Sequence, residues 1–303
     1  MKPLLFIHGA MPIVREARAL IICMRPSEWI KNLFVATPLF FGGSAAFIEK
    51  SRATSLALIA FCLVSSAIYI LNDICDRRRD QSHPLKRTRP LASGELGVPM
   101  AAGAAVMCWL SGLAIAAFNG GLVLTLLAYT MLNVAYSLRL KHIVILDILC
   151  IASGFVLRVF AGGFAANVEP SAWLVIMTFL LSVVLALGKR RHELNVTSAA
   201  VGHHRPVLEE YSVPLVDELL AVVTPATLIT YILYTMDPTT LAHFHSRLLY
   251  LTTGFVVFGI FRYLYLIHRK ARGGSPAELL VTDPGLAMTV LAWIGTFALM
   301  LYA

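Results

Sequence analysis

Residues 55–90 read SLALIAFCLVSSAIYILNDICDRRRDQSHPLKRTRP, and this stretch changes character near its middle. Residues 55–71 carry no charge, whereas residues 72–90 hold three aspartates and six cations. A helix needs roughly 20 apolar residues to cross the ~30 Å hydrocarbon core of a bilayer. The pattern therefore predicts a membrane span over 53–78 that ends in a densely charged polar segment.

Similar apolar runs recur along the whole chain. The 303 residues are 58% hydrophobic and 14% charged, with a mean hydropathy of +0.76, which excludes an ordinary soluble enzyme. We predict an all-α, polytopic membrane protein with one domain, 1–303, in which residues 1–23 form an interfacial amino-terminal helix. The predicted spans are about nine in number and cover 24–48, 53–78, 98–118, 121–138, 143–166, 171–190, 214–236, 246–267 and 284–302.

The basic residues predict the orientation of these spans. Of the 25 Lys and Arg residues, 20 fall on one side of the predicted membrane and 3 on the other, while Arg158 and Arg262 lie within spans. Short cytoplasmic loops hold an excess of Lys and Arg. The sequence therefore predicts a multi-pass protein of the cell inner (cytoplasmic) membrane, with its amino terminus and its charged segment facing the cytoplasm.

Other partners and metals are not indicated by the composition. The net charge of +8 is typical of attraction to anionic lipid headgroups, and its cations lie in separate loops instead of one nucleic-acid-binding face. The five cysteines form no CxxC pair, so neither a zinc site nor a disulfide framework is predicted.

The three aspartates of the opening stretch have the spacing of a metal site. Asp73, Asp76 and Asp80 fall at i, i+3 and i+7, which places them on one face if the helix continues through them. Neighbouring carboxylates repel one another unless a cation neutralises them, and Mg2+ binds carboxylate oxygens together with substrate phosphates. The alternative is simple pairing with Arg77, Arg78 and Arg79 on a solvated helix end.

A cationic segment follows directly. Lys86, Arg87 and Arg89 lie between Pro84 and Pro90, which restrict the backbone. Guanidinium groups match phosphate oxygens in pairs, and a lysine adds a point charge. We expect these three residues to bind phosphate, although positive-inside anchoring also explains them.

The stretch NDICDRRRD, residues 72–80, resembles the NDxxDxxxD signature of the UbiA superfamily of intramembrane prenyltransferases. The resemblance extends through RPSEWIKN at 25–32 and implies nine helices bundled around a central, lipid-accessible cavity. It also implies that Asp73, Asp76 and Asp80 bind Mg2+ and that Asp73 and Asp76 are catalytic. Lys31 and Asn72 are then expected to support this end of the site.

One departure from the superfamily is informative. Typical members carry a second acidic motif near the fifth or sixth span, but here Asp147 has Ile143 and Ile151 four residues to either side. Tyr136, Lys141 and Arg158 lie nearby instead. With YSLRLK and GKRRHEL, this pattern is similar to the decaprenyl-phosphate phosphoribosyltransferase branch, which implies transfer of 5-phosphoribose from phosphoribosyl pyrophosphate to a polyprenyl phosphate lipid.

Further residues are expected to line the substrate site. Lys86, Arg87, Arg89, Tyr136 and Lys141 are expected to contact the donor. Asp147 is expected to bind ribose hydroxyls or to pair with Lys141 or Lys189. Arg158 is expected to face the bundle interior and to bind the acceptor phosphate or a structural carboxylate. Lys189, Arg190 and Glu193 are expected to close the chamber, although Lys189 and Glu193 also suit a helix-surface ion pair.

Spans one, two, eight and nine are expected to form the groove for the prenyl chain, and Gly154, Gly162 and Gly163 to permit close helix approach. The sequence leaves the oligomeric state open, a homo-oligomer included. Two other functions compete: a prenyltransferase acting on an aromatic or quinone precursor, and a membrane transporter or lipid-binding protein. The missing second acidic motif argues against the first, and the spacing of the aspartates argues against the second.

Overall fold

The fold consists of helices and their connections. The computed structural model describes residues 12–41, 47–82, 86–197, 206–244, 248–270 and 274–302, and no strand occurs among them. The α-helices are α1 Pro12–Met24, α2 Thr37–Phe41, α3 Phe47–Cys75, α4 Arg77–Ser82, α5 Pro90–Ser93, α6 Val98–Ala116, α7 Gly120–Leu138, α8 Leu146–Ala166, α9 Ala172–Thr197, α10 Pro206–Glu209, α11 Val213–Met236, α12 Pro238–Phe244, α13 Thr253–Arg269, α14 Pro276–Thr282 and α15 Pro284–Tyr302. Four 3-10 helices cover Pro26–Ala36, Lys86–Thr88, Leu140–His142 and Leu249–Thr252.

The all-α, multi-span architecture predicted from the sequence is confirmed. Within the described ranges, seven helices are long and apolar enough to cross a membrane, and α14 with α15 raises the count to eight if this pair, bent by 88°, forms one span. Eight of the nine predicted spans correspond to these helices.

The first predicted span, 24–48, is the exception. Arg25 adopts a left-handed backbone conformation (φ 53°), and a 3-10 helix, Pro26–Ala36, follows it before the five-residue α2. Asn32 and Val35 are fully buried in this segment. The segment therefore packs into the bundle as a broken element, and the run of apolar residues alone did not reveal this. Residues 42–46 of the predicted span lie outside the described residues.

The expected interfacial helix corresponds to α1, while residues 1–11 lie outside the described part. Ala19 and Cys23 on α1 are buried in one apolar cluster with Ile70 of α3. Ile21 and Ile22 point outwards, with about half of their surface exposed. The helix therefore packs against the bundle on one side and presents apolar side chains on another.

Helix α8 lies at the centre of the bundle, where it packs against α2, α3, α7, α9 and the Pro26–Ala36 segment. A Cβ atom added to Gly162 would lie 1.8 Å from the carbonyl oxygen of Val35, and one added to Gly163 would lie 2.8 Å from that of Val168. At Gly154 the nearest atoms are 3.6 Å away, which is ordinary contact. Close approach of another helical segment therefore depends on Gly162. Gly163 makes room for the turn that follows α8, and Gly154 leaves space.

Polar side chains fix the starts of several helices. Asn119 caps α7 by accepting the backbone N–H of Leu122 at 3.0 Å, and its amide donates to the carbonyl of Phe164 on α8 at 2.9 Å. Ser212 caps α11 in the same way, accepting the N–H of Leu215 at 3.3 Å. Such caps satisfy donors that have no partner within the helix.

The short connections make successive long helices antiparallel. Consequently α3, α7, α9 and α13 end at the same end of the bundle at which α6, α8 and α11 begin. We call this the polar end, because it carries Asp73, Lys141, Asp147 and Arg190. The candidate site lies there.

Replacing Gly162 with alanine is expected to destabilise the protein by about 1–3 kcal/mol, because the new methyl group overlaps the Val35 carbonyl and forces two elements apart. The measurement is thermal unfolding in detergent. Gly103→Ala on α6 is the matched control, since nothing lies within 4 Å of its added Cβ and alanine favours a helix. Equal melting temperatures for the two variants would contradict the close contact.

Candidate active site

The candidate active site gathers side chains from five parts of the chain. The Pro26–Ala36 segment supplies Lys31, and the end of α3 supplies Asn72 and Asp73. The α4–α5 region supplies Asp80 and Arg89. The ends of α7 and α9 and the start of α8 complete the polar end with residues 136–147 and 189–193.

Two of the three predicted metal-binding aspartates share one guanidinium group. Arg89 Nη1 lies 2.7 Å from Asp80 Oδ2 and 3.2 Å from Asp73 Oδ1. Arg25 Nη2 contacts the same oxygen of Asp73 at 2.5 Å. Both carboxylates are at least 95% buried, and burial of an unpaired carboxylate would be costly, so these contacts stabilise the local fold.

Arg25 reaches Asp73 because of its backbone. A left-handed conformation is uncommon for a residue with a side chain, and here it separates α1 from the following 3-10 helix. The guanidinium group lies over the ring of Tyr69, 5.2 Å from its centroid. Strained conformations of this kind persist where the surroundings hold them, and they often mark functional sites.

Asp76 has a different ion-pair partner from the other two aspartates. Helix α3 ends at Cys75 and α4 begins at Arg77, but the backbone N–H groups of Asp76 and Asp80 still donate to the carbonyls of Asn72 and Asp76, at 2.9 and 2.8 Å. The helical path therefore continues through the three aspartates, and their shared face stays a prediction. Arg77 Nε donates to the carbonyl of Leu91 at 3.0 Å, which ties α4 to α5. Asp76 Oδ1 accepts from Lys141 Nζ at 3.0 Å.

Asn72 also connects α3 to α7. Its Oδ1 accepts a short hydrogen bond from Ser137, whose hydroxyl is also bonded to the carbonyl of Asn133 at 2.7 Å. Ser137 therefore holds the side chain of Asn72, and Lys141 holds that of Asp76, one helical turn further along. Their contacts bring the predicted residues Asn72, Asp76 and Lys141 together.

The acidic residues fit a cation, although they do not form a complete metal cage. Among the described residues, no three His, Cys, Asp or Glu side chains are grouped closely enough to hold a metal ion. Asp73 and Asp80 nevertheless direct one oxygen each at a single cationic nitrogen. Carboxylate pairs completed by waters and phosphate oxygens are typical of Mg2+ sites. The donor set is therefore suited to Mg2+ held jointly with a phosphorylated ligand.

A second charged group faces the site from the Pro26–Ala36 segment. Lys31 forms an ion pair with Glu28, and both side chains are about one-third exposed. Lys31 and, more weakly, Lys189 and Arg25 lower the pKa of Glu28 despite the opposing effect of its partial burial. The predicted residues Lys31 and Lys189 thus both lie close enough to the Glu28 carboxylate to stabilise its negative charge.

Asp147 lies in a buried network. Its Oδ2 accepts from Arg190 Nε at 2.8 Å, and its Oδ1 accepts from the Tyr211 hydroxyl at 2.8 Å. Arg190 is also paired with Glu193. Asp147 has no exposed surface, and its ion pair is with Arg190, whereas Lys141 pairs with Asp76. Binding of a ribose hydroxyl by Asp147 stays a prediction.

Tyr211 also supports the start of α8. The backbone N–H of Ile145 donates to its hydroxyl at 2.8 Å, and Ile145 has an unusual positive φ of 70°. Burial and the negative charge of Asp147 raise the pKa of the Tyr211 hydroxyl, which therefore stays protonated. The network holds the turn that connects Lys141 to α8.

Arg158 is buried in the bundle, as expected, but away from the acidic residues. Its guanidinium donates to Asn32 Oδ1 at 2.9 Å, to the Gly154 carbonyl at 2.8 Å and to the Tyr129 hydroxyl at 3.1 Å. The rings of Phe61, Tyr129 and Phe155 surround it at 4.9–5.2 Å. Neutral acceptors and aromatic rings thus take the place of the structural carboxylate that was one of the two expected partners of Arg158, and the other, the acceptor phosphate, stays a prediction.

The remaining predicted residues lie on the rim. Lys86 and Arg87 form the short Lys86–Thr88 helix immediately before Arg89, and Arg87 is exposed. Tyr136 is partly buried near the end of α7, within electrostatic range of Arg190. Residues 83–85 lie outside the described residues.

Several residues of the site were missed by the sequence reasoning. Arg25 and Glu28 lie within RPSEWIKN and Ser137 within YSLRLK, so these motifs held a signal that was used only for Lys31, Tyr136 and Lys141. Tyr211 lies in no such motif, and only the fold places it beside Asp147.

Comparisons with known proteins identify relatives of this chain. The model of the UbiA prenyltransferase family matches residues 33–281. Decaprenyl-phosphate phosphoribosyltransferase of Corynebacterium glutamicum is 33% identical over 94% of this chain and 87% of its own length. The protein of the same name from Mycolicibacterium smegmatis is 32% identical over 93% of this chain and 92% of its own length. A UbiA homologue from Archaeoglobus fulgidus, solved with GPP and Mg2+, has a TM-score of 0.70 at 19% identity and covers 94% of this chain and 100% of its own.

Replacing Tyr211 with phenylalanine is expected to lower stability by about 1–3 kcal/mol, because the buried N–H of Ile145 and one oxygen of Asp147 lose their partner. Thermal unfolding in detergent measures this loss. Tyr250→Phe is the control, since Tyr250 is half exposed. If both variants melted with the wild type, the network would not support the start of α8.

Proposed function

The chain belongs to the UbiA prenyltransferase family, and we propose that this membrane-bound transferase moves 5-phosphoribose from phosphoribosyl pyrophosphate to a polyprenyl phosphate, such as decaprenyl phosphate. The relatives named for this reaction align along most of the chain. The active site is assigned to the polar end, facing the cytoplasm, because a soluble donor must reach it. The excess of Lys and Arg at that end supports the orientation in the cell inner membrane.

One observation carries the choice of substrate. Typical members of the family need a second acidic motif, but here Asp147 is completely buried and paired with Arg190. It offers no carboxylate to a second metal ion. A single acidic cluster surrounded by cations suits a reaction in which one substrate brings a diphosphate and both substrates carry further phosphates.

Mg2+ is assigned to the carboxylates of Asp73, Asp80 and Asp76. When bound, it would act as a Lewis acid that neutralises the departing pyrophosphate. Asp73 and Asp76 have the direct catalytic role, because they lie at and just after the end of α3, at the polar end of the bundle. Asn72, held by Ser137, orients this helix end.

The cations around the acids bind the phosphates of the donor. Arg89 and Arg25 already converge on Asp73, so a small movement brings them to phosphate oxygens beside it. Lys86 and Arg87 extend the cationic surface, Lys141 reaches it through its contact with Asp76, and Tyr136 is assigned to the same site. Arg190 and Glu193 act as positioning residues, because Arg190 is only 2% exposed.

The transfer exchanges one C–O bond for another. The bond from ribose C1 to the pyrophosphate oxygen breaks, its electron pair leaves with pyrophosphate, and an oxygen of the lipid phosphate bonds to C1. That oxygen is already anionic at neutral pH, so no strong general base is required. Lys31 and Lys189, whose charges converge at Glu28, are suited to hold the lipid phosphate near this centre.

The reaction is tested with purified protein in two mixtures. One contains polyprenyl phosphate, Mg2+ and labelled phosphoribosyl pyrophosphate, and the other contains a labelled prenyl diphosphate with an aromatic acceptor. We expect labelled lipid in the first mixture, loss of the label on chelation, and recovery with added Mg2+. Product in the second mixture alone would replace this proposal with an aromatic prenyltransferase.

The variants Asp73→Asn and Asp76→Asn are expected to lower kcat by about 100-fold or more, because each removes charge that balances the metal in the transition state. Initial rates of lipid labelling measure the loss. Glu95→Gln is the control, since its carboxylate pairs with Arg15 outside the acidic cluster. Near wild-type rates for both aspartate variants would remove these residues from the active site.

Replacing Arg89 with glutamine is expected to have two opposite effects. The KM for phosphoribosyl pyrophosphate should rise about tenfold or more, because a charged phosphate contact is lost. The Mg2+ concentration for half-maximal activity should fall, since no guanidinium group competes for Asp73 and Asp80. Arg78→Gln is the matched control, since Arg78 is an exposed arginine on α4. Identical kinetics for the two variants would contradict the role of Arg89 in binding the donor.

A further inference from the structure

A groove of about 470 Å³ runs between α7, α8 and α9, and we call it the α7–α9 groove. Leu132 of α7 and Ser153 of α8 lie on the part of its wall closest to the polar end. Phe160 of α8 and Ile176 of α9 form the distal part, and both remain more than one-third exposed. The groove therefore opens at the side of the bundle.

The lining of the groove is almost entirely apolar. Ser153 contributes the one hydroxyl among the lining side chains, and the others are Leu, Ile, Val and Phe. No charged group lines it. Such a surface suits a hydrocarbon chain and offers nothing to the phosphoribosyl donor.

The groove is continuous with the candidate active site along two helices. Leu132 and Tyr136 are four residues apart on α7 and lie on the same face. Phe179 lines the groove, and Arg190 lies eleven residues further along α9, within about 20° of the same face at 100° per residue. Tyr136 and Arg190 interact electrostatically, so both helix faces lead to the same point at the polar end.

Resting on the proposed function, we propose that the α7–α9 groove holds the prenyl chain of the acceptor, with its phosphate at the polar end beside Tyr136 and Lys189. A single groove accommodates one chain, whereas a bilayer phospholipid carries two. The position also differs from the expectation that spans one, two, eight and nine form the groove. Helices α7, α8 and α9 are chosen because their polar ends carry Tyr136, Asp147 and Lys189.

The first test compares acceptors of different length. Ser153→Trp fills the groove, so we expect the KM for a long polyprenyl phosphate to rise about tenfold or more, while a two-isoprene phosphate is used within about twofold of the wild type. Met131→Trp is the matched control. Met131 is next to the groove residue Leu132 on α7, but it is 73% exposed and does not line the groove. Equal KM values of the two variants for the long acceptor would overturn the proposal.

The second test identifies the occupant without relying on turnover. Phe179 is replaced with the photoreactive analogue p-benzoylphenylalanine, and the protein is irradiated in phosphatidylglycerol vesicles with and without polyprenyl phosphate. An adduct with the mass of polyprenyl phosphate supports the proposal. A phospholipid adduct that polyprenyl phosphate does not displace, or a covalent dimer of the chain, overturns it.

The two tests separate this inference from the proposed function. If the wild-type protein transfers phosphoribose but Ser153→Trp behaves like Met131→Trp, only the groove assignment is wrong. If the wild-type protein transfers no phosphoribose yet polyprenyl phosphate is crosslinked at position 179, the groove assignment stands and the proposed reaction is wrong.

Discussion

The organisation of the polar end depends on the cost of leaving a charge unpaired in a medium of low dielectric constant. Asp73 and Asp80 are almost completely buried, and both are held by Arg89. This shared ion pair holds α4 and the residue before α5 against the end of α3, because Arg89 contacts an aspartate on each of these two helices. The neighbouring contact from Arg25 fixes the left-handed turn after α1 in the same way. The same electrostatic requirement thus holds both α4 and the turn after α1 close to the end of α3.

The charged groups divide into two sets with different consequences for chemistry. Arg158, Asp147 and Arg190 are at most 4% exposed, and each has its hydrogen bonds satisfied by the protein. Exchanging those partners for a substrate would require opening the core, so these residues support the shape of the bundle. By contrast, the side chains of Arg89 and Asp76 are about one-third exposed. They are accessible to a ligand, which makes them suitable for binding a polyanion, provided that a cation takes over the buried carboxylates that Arg89 now pairs.

Much of the fold could be predicted from the sequence, because spans such as 98–118 and 214–236 need only sufficient length and hydrophobicity. The first span could not, since the contact between Gly162 and Val35 joins residues distant in sequence and hydropathy carries no information about it. At the site, local spacing identified Asp73 and its neighbours but could not show that Asp76 pairs with Lys141 while Asp73 and Asp80 share Arg89. The pairing of Asp147 with Arg190 and Tyr211 depends on the packing of α8, α9 and the segment before α11, so inspection of the nearest charges selected the wrong partners.

The proposed reaction brings two polyanions together, which would repel each other in a site of ordinary charge. In the structure, Asp73, Asp76 and Asp80 neutralise Arg25, Arg89 and Lys141. A divalent cation on the carboxylates would release these three basic groups for phosphate oxygens. Metal and donor would then favour each other's binding, because each supplies the counter-charge that the other displaces. One acidic cluster is sufficient for this exchange. A second acidic cluster would pair with further basic side chains, and those side chains would then be less able to bind the lipid phosphate.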